Sequence, residues 1–129
     1  MRKRKSCKSH GERRICEYLD INNISYEREK TYDDLINDKN NKLRFDFWLP
    51  DFKLLIEFQG KHHYGPIKNT RYYIQKFKTV RFHDTIKYNY CFVNKLNIYY
   101  IHYKNLKDIE LILEGILKGA QYDLENLRT

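Results

Sequence analysis

No uninterrupted apolar run in the chain approaches the ~18–20 residues needed to span a bilayer, so the sequence offers no transmembrane helix. Its basic start, MRKRKSCKSH, is not followed by an apolar stretch, and we therefore expect no secretory signal. Cysteine is scarce: Cys7, Cys16 and Cys91 are odd in number and lie at no framework spacing. That argues against a disulfide scaffold and fits a reducing, intracellular compartment, cytoplasm or nucleoid or nucleus, in a host cell if the protein is viral. A P-loop, a GxGxxG loop and a Ser/His/Asp order are all missing as well. What is present is packing material. Over 129 residues, 41% are hydrophobic and 16% aromatic, with twelve Tyr, which is too much for a disordered tail and suits one folded domain.

Acidic residues are the minority, seventeen against twenty-five Lys and Arg, for a formal charge of +8. The imbalance is local. Residues 1–14 carry +6, residues 15–41 carry −4, residues 42–104 carry +8 and residues 105–129 carry −2. A basic balance interleaved with Tyr and Phe suits a polyanion, because Lys and Arg neutralise phosphates and release counterions. The same balance also fits a Lys-rich solvated surface, so charge alone does not decide for nucleic acid.

Ser9 followed by Glu12 is a capping-box pattern, and Ile15 and Leu19 recur at helical spacing, which predicts a helix over 9–21 ended by Asn22-Asn23. Residues 24–31 predict a short strand, and an acidic, Asn-rich loop is expected through 41. Two apolar runs, 43–49 and 52–58, are separated by Pro50-Asp51, which predicts a hairpin. After a loop at Gly65-Pro66, residues 73–94 read as a helix, 96–102 as a buried strand, and 106–117 as a closing amphipathic helix. We expect a basic arm at 1–8, one domain at 9–118 and a polar tail or frayed helix end at 119–129. The order α-β-β-β-α-β-α predicts an α/β (α+β) domain, a mixed central sheet flanked by helices.

The hairpin carries the chemistry. Glu57 and Gln59 are two apart and share a strand face, and a turn at 50–53 sets Asp46 opposite Glu57. Both acids have apolar neighbours on either side: Phe45, Phe47 and Trp48 around Asp46, Ile56 and Phe58 around Glu57. Two buried carboxylates repel and are costly to desolvate unless a proton or a cation neutralises them. A hard divalent cation with oxygen ligands meets that need. The plainer alternative is an acid alternating outward from Leu55 and Ile56.

The succession S-x-G-E on the first helix, R-F-D-F-x-L-P on a strand, I-E-F-Q-G-x-x-H-Y on the next and D-x-x-K on a helix resembles the PD-(D/E)XK nuclease superfamily. It is most similar to the branch of very-short-patch repair endonucleases and phage EDxHD homing endonucleases, over residues 9–103. The resemblance implies a restriction-endonuclease-like core. It also implies an Mg²⁺-dependent DNA endonuclease of homing or repair type from a phage, virus or mobile element, with Mn²⁺ as a substitute ion.

Carried over residue by residue, Glu12, Asp46 and Glu57 would hold the metal, and Gln59 stands where the common pattern has Lys. A Gln can only hydrogen-bond, so the general base must lie elsewhere. The resemblance implies a histidine, and His63, or else His62, is placed in sequence to supply it, since imidazole ordinarily titrates near neutral pH. Asp84 would orient that histidine or meet a second metal. Arg2, Lys3, Arg4 and Lys5 form an expected phosphate-contacting arm, the alternatives being a nuclear localisation signal or the start of a truncated larger protein, and Lys61, Arg71 and Lys87 are further expected contacts to double-stranded DNA. So small a domain implies a homodimer or a partner protein for long-site specificity. The alternative is a nucleic-acid-binding module with a nuclease fold and little catalysis. A zinc set of Cys7, His10, Cys16 and Cys91 is disfavoured, because Cys16 and Cys91 fall at apolar helical positions.

Overall fold

The computed structural model describes residues 9–126. Helix α1 (His10–Ile21) starts as the capping pattern predicts, with the Ser9 hydroxyl accepting the Glu12 N–H at 3.1 Å. It ends where Asn23 enters the left-handed region at φ 55° and the Ile24 N–H returns to the Leu19 carbonyl at 2.9 Å. Strands β1 (Glu27–Ile36), β2 (Lys42–Leu49) and β3 (Leu54–Gln59) follow, then a 3-10 turn at Lys61–His63. Helix α2 (Arg71–Val93), strand β4 (Asn97–His102), a second 3-10 segment and helix α3 (Ile109–Asn126) complete the order. Among the described residues, no helix is long and apolar enough to cross a membrane.

The fold is α+β, with a four-stranded mixed sheet in the order β1-β2-β3-β4. The first three strands are antiparallel, and β4 joins β3 in parallel after the α2 crossover. Helices cover both faces. On one, Ile15 and Leu19 of α1 and Ile109, Leu113 and Leu117 of α3 pack on Phe47, Leu49, Leu54, Ile56 and Ile101. On the other, Cys91, Ile86 and Tyr90 of α2 pack on Leu35, Leu43, Phe45 and Leu55.

Three expectations are corrected. The acidic stretch expected to be a loop through 41 is mostly strand, since β1 reaches Ile36 and only 37–41 turn. An edge strand tolerates acids that point outward: Asp33 pairs with Lys42 at 2.8 Å, and Asp34 accepts the Tyr90 hydroxyl at 2.6 Å, while Leu35 faces inward. Strand β4 is not buried. It is the other edge, with Tyr99 and Tyr100 exposed and Ile101 alone fully covered. Lastly, α3 continues through residue 126 with Ala120 in the core, so residues 119–126 are packed helix, neither a polar tail nor a frayed end.

Candidate active site at the β2–β3 hairpin

The turn after β2 closes as expected, and the pairs Leu49–Leu54, Trp48–Leu55 and Phe47–Ile56 set the register that brings Asp46 opposite Glu57. At that level the sheet departs from simple alternation. Phe45 and Phe47 are two apart and both fully buried, yet they belong to the clusters on opposite faces. On β1, Glu29 lies between the pairs Arg28–Phe47 and Lys30–Phe45 and adopts φ 53°. Between two flipped phenylalanines, Asp46 is left facing β3 across the sheet rather than either layer. Its Oδ2 accepts the Phe58 N–H at 2.8 Å, and Glu57 Oε1 accepts the Asp46 N–H at 2.8 Å. Past Phe47–Ile56, the strands are joined by carboxylates in place of carbonyls.

Burial and charge make this pair unusual. Glu57 is 3% exposed, and it is the one buried charged residue among those described. The Asp46 carboxyl is pushed up to about 8, by burial first, then by the neighbouring Glu57 and Glu12, against the pull of the Phe58 N–H and Lys87. Glu12 is brought within range by α1, which packs tightly on β3. A Cβ on Gly11 would lie 2.2 Å from the Phe58 ring, so only glycine allows this approach.

Two cations from other elements meet these acids. Lys87 of α2 donates to Glu57 Oε2 at 2.5 Å. Arg28 of β1 pairs with Glu12, donates to the Asp46 carbonyl at 3.2 Å, and lies 4.6 Å over the Phe47 ring. The donor set of Asp46, Glu57 and Glu12 is all carboxylate oxygen, the chemistry a hard divalent cation takes. Asp46 is held in the state that such an ion would relieve. Glu12 and Glu57 already have cationic partners, and among the described residues no cluster of three or more His, Cys, Asp or Glu side chains is gathered as a ready-made metal site.

A second polar pair lies beyond Gly60. His63 in the 3-10 turn and Asp84 on α2 meet through Nδ1 and Oδ2 at 2.7 Å, both about one-fifth exposed. That bond leaves Nε2 as the nitrogen available for a proton. Gln59 accepts the Tyr64 hydroxyl at 2.9 Å, and Tyr64 stacks on His102 at 3.8 Å. A shallow groove of about 330 Å³ runs here, walled by Gln59, Arg81, Asp84, Thr85, Tyr88 and Tyr100. A larger groove of about 410 Å³ lies between Leu35 of β1 and Tyr90 of α2, away from all of these acids.

The expected site residues therefore fall into two linked groups. Asp46, Glu57 and Glu12 form the first, and His63, Asp84 and Gln59 line or adjoin the groove of the second. Lys61 and Arg71 are exposed. Lys87, expected at the DNA surface, instead turns inward to Glu57, with 12% of its side chain exposed. The arm residues Arg2, Lys3, Arg4 and Lys5 lie outside the described residues. Cys16 and Cys91 are buried on opposite faces of the sheet, so they share no metal. Compared with protein-family models, curated proteins and solved structures, the chain matches none.

Sequence reasoning missed Arg28 and the inward role of Lys87. Arg28 had no signal, because its partners come from α1 and β2 far along the chain. Lys87 did have one: in D-x-x-K it sits three residues after Asp84, hence on the same helix face.

Proposed function

We propose that this chain is a metal-dependent DNA endonuclease of homing or repair type, built on a restriction-endonuclease-like core. The observation that carries the reading is the cross-strand exchange between Asp46 and Glu57, which sets two carboxylates face to face inside the sheet, where backbone carbonyls would join the strands at less cost. The four strands with helices on both faces are compatible with that core.

Asp46 and Glu57, with Glu12 beside them, would hold Mg²⁺ or Mn²⁺, which when bound supplies Lewis-acid stabilisation of charge on a phosphoryl oxygen. The protein's own groups do the rest. His63 Nε2 takes a proton from the attacking water, and Asp84 fixes the tautomer and holds the imidazolium that results. Gln59 and the Tyr64 hydroxyl present a neutral hydrogen-bonding edge to the groove. Arg81 at the groove wall, with exposed Lys61 and Arg71, draws in the phosphate backbone of duplex DNA.

A second reading has one observation in its favour. Glu12 and Glu57 are already neutralised by Arg28 and Lys87, as suits a nucleic-acid-binding module that keeps the fold with little catalysis. Incubation of the purified protein with supercoiled plasmid separates the two. Nicked or linear product with Mg²⁺ or Mn²⁺, absent with EDTA, supports the endonuclease. Binding without product under every condition supports the module.

A further inference from the structure

The two cations at the acid cluster are held very differently. Arg28 is fixed by Glu12, by the Asp46 carbonyl, by the Cys16 sulfur at 3.4 Å and by the Phe47 ring. A planar guanidinium with that many partners is a permanent part of the sheet. Lys87 has one hydrogen-bond partner, Glu57 Oε2, and otherwise rests 5.3 Å over the Phe45 ring. Its ammonium is a compact charge on a flexible stem, with solvent close by. Asp84 and Tyr88, both on α2 and one of them its sequence neighbour, wall the open groove.

Glu57 is thus shared between two claims. Its Oε1 is tied to the Asp46 N–H, and its Oε2 is the oxygen a cation at Asp46 would need, but that oxygen carries Lys87. We propose that Lys87 is an exchangeable counterion of Glu57, which a divalent cation must displace toward the groove, so that this one side chain sets the metal affinity of the site. Arg28 stays in place throughout. The exchange balances charge: a doubly charged ion between Asp46 and Glu57 displaces the Lys87 ammonium from Glu57 and sends the Asp46 proton to solvent, two positive charges for two. The proposal rests on the metal-dependent reading above, and it assigns Lys87 a positioning role rather than a surface contact.

Calorimetric titration of the full chain with Mn²⁺ tests it without any cleavage assay. Lys87→Met should bind Mn²⁺ tighter than wild type by a factor of about 10 or more, within the range of direct coupling between adjoining sites. Glu57→Gln should bind more weakly. An affinity for Lys87→Met equal to or weaker than wild type overturns the exchange while leaving the metal site standing. No Mn²⁺ binding by any of the three proteins overturns the metal-dependent reading and the exchange with it. If Lys87→Met fails to fold, wild type answers alone. On addition of Mg²⁺ the side-chain NMR signals of Lys87 should move toward those of an exposed lysine, and signals that stay in place contradict the proposal.

Discussion

The two faces of the sheet are built to different rules. Against α1 and α3, twelve buried residues interlock, including Ile15, Leu19, Phe47, Leu49, Leu113 and Leu117. Against α2 there are five, and α2 itself contributes Cys91 as its one buried residue. The first face has the continuous apolar packing that stabilises a small domain. The second gives up packing for polar partners along a single helix: Asp84 to His63, Lys87 to Glu57 and Tyr90 to Asp34. The lesson is a division of labour. One helix layer holds the sheet, and the other carries polar side chains to its strands and to the 3-10 turn.

That contrast makes its boldest prediction on the α2 face. His63→Ala should slow single-turnover cleavage by about 10²–10⁴, the usual scale for a lost general base, with little change in thermal stability. The ascending limb of the wild-type pH–rate profile should vanish with it. Gln59→Ala should cost less, since an amide can orient water without taking its proton. A dead Gln59→Ala beside a fully active His63→Ala would remove the histidine from the mechanism.

A smaller effect probes the packing. Leu113→Ala, in the larger core, should destabilise the protein by about 2–5 kcal/mol in urea unfolding. Ile86→Ala, on the half-covered α2 face, should cost clearly less, because its site is already partly exposed and a cavity there can collapse or fill. Equal losses at the two positions would erase the distinction between the faces.

The sequence was most legible where local rules govern. The Ser9 cap, the Asn22-Asn23 stop and the turn after Pro50 follow from side-chain chemistry within a few residues. The facing of Asp46 and Glu57 follows from that turn, because register is set by loop length. The extent of β1 was not legible. Its acids read as loop, and only the edge position of the strand makes Asp33 and Asp34 inexpensive. The exposure of β4 was hidden for the same reason, since LNIYYIH is apolar whether or not another strand lies beyond it. The flip between Phe45 and Phe47 has no local signal at all: it depends on Glu29 across the sheet. Arg28 likewise found its partners only through tertiary structure.

The central claim is that Asp46 is present for chemistry at a cost to the fold, and Asp46→Asn tests it most directly. As a control, the variant must stay folded, and the sign of the shift says that it gains stability. The carboxyl is pushed up to about 8, so the native state keeps a proton that the unfolded chain releases above about pH 4. Wild type therefore loses stability as pH rises from there toward 8. The amide escapes that loss, so Asp46→Asn should be more stable than wild type at pH 7, with the gap closing toward pH 4. The decisive measurement is plasmid cleavage by this folded variant in Mg²⁺, beside its DNA affinity. The account predicts no detectable cleavage with DNA binding unchanged, because the amide cannot supply the carboxylate that would hold the metal and leaves the basic surface as it was. Cleavage at the wild-type rate would contradict it.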